Sequence, residues 1–93
     1  MKNSHDNLEV EAHHWRYENG TSRKFTLGTE TVDRIPIGWY CWCYTNDPDL
    51  FESWMNENCP TAESVWRFNS GSPHWTVAIF DEVEATMFML RWL

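Results

Sequence analysis

Two stretches of this chain, residues 35–44 (IPIGWYCWCY) and 83–93 (VEATMFMLRWL), are apolar on both of their faces. Whatever the chain folds into must therefore cover each of them twice. Seven tryptophans among 93 residues supply much of that surface, yet fourteen Asp and Glu against seven Lys and Arg leave a formal net charge of −7. The apolar side chains are concentrated rather than spread, and concentrated apolar surface on a strongly charged chain marks a partner.

Length allows one core, with residues 1–7 expected to fray and residues 8–93 to form a single α+β domain. The negative charge disfavours polyanionic nucleic acid and anionic membrane surfaces. No eighteen apolar residues run together, and MKNSHDNLEVE has neither an apolar leader core nor a cleavage pattern, so the expectation is a cytoplasmic protein without membrane contact. Cysteine usage agrees: Cys41 and Cys43 share one face of a strand without reaching disulfide geometry, and Cys59 is left over.

Leu8, Val10 and Ala12 alternate with Glu9, Glu11 and His13, the period of a half-buried strand, and the apolar face switches at His14-Trp15, where a bulge or strand end is expected. Residues 18–22 (ENGTS) read as a turn and Phe25 to Leu27 as a short extended piece, and residues 29–34 stay polar. Residues 35–45 form the clearest strand, with Pro36 confined to its start. Asp47 caps a helix whose first position is Pro48 and whose apolar stripe is Leu50, Phe51, Trp54 and Met55; Cys59-Pro60 ends it. Residues 64–69 and 74–80 read as a hairpin joined by Ser70 to Pro73, and Asp81-Glu82 open a second helix that runs to about Trp92. The order ββαββα is that of a ferredoxin-like chain whose last strand has been moved to its front. It predicts a four-stranded antiparallel sheet with both helices on one face, a small open barrel with outer helices being the alternative.

On the second helix, Val83, Met87 and Leu90 take one side and Ala85, Phe88, Met89 and Trp92 the other, leaving Glu84 and Arg91 as the polar stripe. On the long strand, Ile35, Ile37, Trp39, Cys41 and Cys43 share one face and Tyr40, Trp42 and Tyr44 the other. The candidate interface or ligand residues are therefore Tyr40, Trp42, Tyr44, Trp75, Phe88, Met89 and Trp92. A homodimer is the simplest closed assembly that covers such a surplus.

No catalytic or cofactor motif accompanies these residues. The C-x-C on a strand lacks the turn-borne ligand spacing of structural zinc sites, and His13 and His14 point to opposite faces if both are extended, so no metal site and no cofactor are expected. Cys59 and His74 lack a third orienting group, and the carboxylates of residues 47–49 and 81–84 are explained by helix starts, so the chain reads as non-enzymatic. Asp81, Ala85, Phe88, Leu90 and Trp92 follow a D-x-x-x-A-x-x-F-x-L-x-W pattern, and this C-terminal segment resembles the strand, acidic turn and helix that end small uncharacterised bacteriophage proteins. The resemblance implies a phage or viral-metagenome source, hence a host cytoplasm, and no activity. The expected function is that of an accessory protein acting by self-association and by docking on a host or viral protein. The alternatives are a nucleotide or sugar binder using an aromatic sheet face, and an acidic inhibitor that mimics DNA.

Overall fold

The computed structural model describes residues 7–19, 22–27, 30–34, 37–68 and 73–93. Its elements are β1 (Val10–Glu18), β2 (Ser22–Leu27), β3 (Glu30–Arg34), β4 (Gly38–Thr45), α1 (Pro48–Asn58), β5 (Glu63–Arg67), β6 (His74–Ile79) and α2 (Glu82–Trp92). Four strands make one open antiparallel sheet in the order β1-β4-β6-β5. Because β6 is antiparallel to both β4 and β5, those two run parallel, with α1 as the crossover and β6 inserted between them. This is the expected ββαββα arrangement, with an antiparallel β2-β3 pair added between the first two strands of the main sheet. The second strand of that pair falls in the segment that the sequence marks only as polar. The expected frayed start, the Gly20 turn, the first two residues of the long strand and the Ser70 turn lie outside the described residues.

Register decides which side chains form the core. Trp39, Cys41 and Cys43 of β4 lie opposite Ile79, Val77 and Trp75 of β6, and Trp66 of β5 lies opposite Trp75, so all of them stand on one face. Both helices pack on that face: Phe51, Trp54 and Met55 of α1 and Ala85 and Phe88 of α2 belong to the same buried cluster as Cys41, Cys43 and Val77. Leu8 is buried in it, with Val10 and Ala12 packed against it, as the period of two requires. Ile37, by contrast, is exposed.

Each helix begins on a side-chain cap. Asp47 accepts a hydrogen bond from the Leu50 amide at 3.1 Å and Asp81 one from the Glu84 amide at 3.0 Å, each satisfying an orphan donor of a first turn. Asn46 holds the start of β1 against the end of β4: its Oδ1 accepts from the Glu9 amide at 2.9 Å and its Nδ2 donates to the Asn7 carbonyl at 2.8 Å. Gly38 is required for a different reason. A Cβ there would come within 2.6 Å of the Ile79 carbonyl oxygen, so only glycine lets the two strands approach at that end.

Glu84 departs from the polar stripe assigned to it. It is buried, and its carboxylate accepts from the Thr61 hydroxyl at 2.6 Å and the Thr61 amide at 3.1 Å, tying the first turn of α2 to the turn after α1. The stripe forecast failed because α2 turns its Glu84, Ala85 and Phe88 side inward. Val83, Met87 and Leu90 are left in solvent.

Trp54 is buried against Phe88 and Trp92, so Trp54→Ala should lower the unfolding free energy by about 3–5 kcal/mol. Urea denaturation followed by circular dichroism measures it. A loss below about 1 kcal/mol would mean that the ring is not part of the core.

Candidate functional site

The face of the sheet away from the helices carries a cluster of rings. A regular strand alternates its side chains, so His13 and His14 should part company. They do not. The pairing of β1 with β4 shifts between His13, opposite Trp42, and Arg16, opposite Tyr40, so that His14 and Trp15 together face the single residue Cys41. His14 takes up this extra residue with φ of 59°, the left-handed conformation that usually falls to glycine in such a bulge. Trp15 is thereby sent to the helices, where it stacks on Phe88 with ring centroids 5.4 Å apart. The His14 ring meets Trp42 at 4.9 Å, while His13 meets Tyr44 at 5.3 Å. His74 of β6 completes the group, 5.7 Å from Trp42 and 5.8 Å from Tyr44.

Of the rings expected on this face, Trp42 and Tyr44 therefore both join the cluster, Trp42 44% exposed and Tyr44 half-buried. Tyr40 is on the same face but buried, edge-on to Phe80 and over Ala78. Trp75 is on the opposite face, packed between Phe51 and Trp66, because its register partner is Cys43. The three histidines were the part that pattern reading missed, although the switch of apolar face at His14-Trp15 was its visible signal.

A second surface lies on α2. Phe88 is wholly inside and Met89 and Trp92 are half-buried, Trp92 meeting Trp54 edge-on at 5.2 Å. Val83 and Leu90 are 71% and 80% exposed, and Met87 lies between them on the same side. Spacings of four and three place these side chains in one stripe.

The remaining polar chemistry is closed off. Cys59 is buried on the helix side and His74 stands on the open face, so they form no nucleophile and base pair. The Cys41 and Cys43 sulfurs lie 3.6 Å apart as free thiols; their hydrogen bond, with burial, holds the Cys43 thiol well above its ordinary value. Burial, helped by the Glu84 carboxylate, pushes the Cys59 thiol up to about 12. Burial also pushes the Tyr40 phenol up to about 12, the carboxylates of Glu18 and Glu63 adding to the effect and Arg16 opposing it. Among the described residues, no three His, Cys, Asp or Glu side chains form a group able to hold a metal ion, and no helix is long and apolar enough to cross a membrane. No known family, curated protein or solved structure matches the chain.

Because the folded Tyr40 and Cys59 values lie above their ordinary values of 10.0 and 9.0, the protonated groups favour the folded state. Their stabilisation is intact below about pH 9 and is lost as pH rises to about 12. Alkaline denaturation curves should show Tyr40→Phe losing less stability across this range than wild type. In the folded protein at neutral pH an aromatic disulfide reagent should label none of the three cysteines, all of which are buried, and should label them on unfolding.

Proposed function

We propose that this protein acts by binding and not by catalysis, as a small accessory protein, of phage or related viral origin, that pairs with itself through α2. The exposed Val83, Met87 and Leu90 stripe carries this reading, because a helix already buried on one side leaves these side chains no cover of their own. A two-fold axis near the middle of the helix would set Val83 of one copy against Leu90 of the other. Burying an apolar side chain of this size is worth about 1.5–3 kcal/mol. The same stripe can also be covered by a host or viral protein presenting an apolar groove in place of the second copy.

Light scattering coupled to size exclusion tests this. The wild type should behave as a dimer at tens of micromolar, with a denaturation midpoint that rises with protein concentration, and Leu90→Glu and Val83→Glu as folded monomers whose midpoints do not depend on concentration, since both positions are exposed in the single chain. Trp42→Glu should remain a dimer. A wild type that stays monomeric up to millimolar concentration, or charged α2 variants that still pair, would remove the reading.

A further inference from the structure

The ring cluster on the open sheet face is independent of α2 and has its own logic. A non-glycine residue in the left-handed region costs about 1 kcal/mol or more, and glycine would fill the bulge without that cost. The chain nevertheless places a histidine there, φ 59°, and the result is three imidazoles around two aromatic rings instead of two. Nothing in the core needs the His14 ring: it is exposed, and the core side of the bulge is served by Trp15.

Three observations define what would fit. The platform is partly open, with Trp42 44% exposed. Beside Tyr44 it runs into a cleft of about 370 Å³ lined by Glu9, Val10, Glu11, Tyr44, Thr45 and Asn46, within the size range of small-ligand sites. The charge there is negative: the cleft carries two carboxylates, Glu11 lies 3.3 Å from the His13 ring, and the whole chain bears −7. Phosphates and nucleic acid strands are repelled by that arrangement. A neutral polyol is not. The C–H face of a pyranose packs on an aromatic ring, its hydroxyls donate to carboxylates, and imidazole nitrogens hydrogen-bond to hydroxyls.

We propose that this face is a binding site for a neutral sugar, the pyranose resting against Trp42 and Tyr44 with its hydroxyls shared among His13, His14, His74 and Glu11.

The test is a titration of the ¹⁵N-labelled protein followed at the Trp42 indole resonance. The probes are glucose, galactose, mannose, N-acetylglucosamine, maltose, cellobiose, lactose and chitobiose, with AMP and free arginine as charged comparators. At least one saccharide should give a saturable shift, stronger than either comparator. Trp42→Ala should weaken that binding more than tenfold. His14→Gly should weaken it severalfold while raising the denaturation midpoint, because glycine relieves the bulge; a residue serving only the fold would lower both. A flat response across the saccharides, tighter binding of AMP or arginine, or saccharide affinity unchanged in His14→Gly would each overturn the proposal. None of these readouts depends on dimer formation, so failure here leaves the α2 reading standing, and the reverse.

Discussion

Phe88 joins the three parts of this molecule. Fully buried, it is stacked flat on Trp15 of β1 at an interplanar angle of 5° and met edge-on by Trp54 of α1 at 71°. A small domain buries only about two thirds of its unfolded surface, and large rings raise the apolar area that each buried residue contributes. The bulge in β1 is a condition of this contact, since without the extra residue Trp15 would stand on the other face. One local irregularity thus serves both sides of the sheet, directing a tryptophan inward and a histidine outward.

The periodicity of the chain made most of the architecture legible. Helix α1 runs from Pro48 to Asn58 as its cap, proline and stripe dictate, and α2 occupies Glu82 to Trp92. The β4 face assignments hold from Trp39 to Cys43 because a period of two admits no compromise once one face is buried. The β2-β3 pair was harder to see: residues 29–34 (TETVDR) alternate no apolar face, and such pairing rests on backbone hydrogen bonds that composition does not reveal.

The candidate site was only partly legible, and for identifiable reasons. Trp42 and Tyr44 could be placed from strand alternation, whereas Tyr40, on the same face, turned out to be buried beside Phe80. Glu84 looked like a solvent stripe on the helical wheel because a wheel knows nothing of Thr61, whose hydroxyl and amide make burial of a carboxylate tolerable. His14 falls opposite His13 only if both residues are extended, and the bulge expected at His14-Trp15 suspends that alternation for one residue.

The strand order also has a consequence for how the chain comes to be folded. β1 pairs laterally with β4, yet its tryptophan is covered by Phe88, which lies in the last element of the sequence order. The earliest strand is thus finished by the latest helix, so closure of the domain is non-local in sequence. Loop closure across so much chain is slow relative to local helix formation. Until α2 is in place the Trp15 indole lacks the ring it stacks on, so this part of the core closes only when two elements far apart in the chain have met.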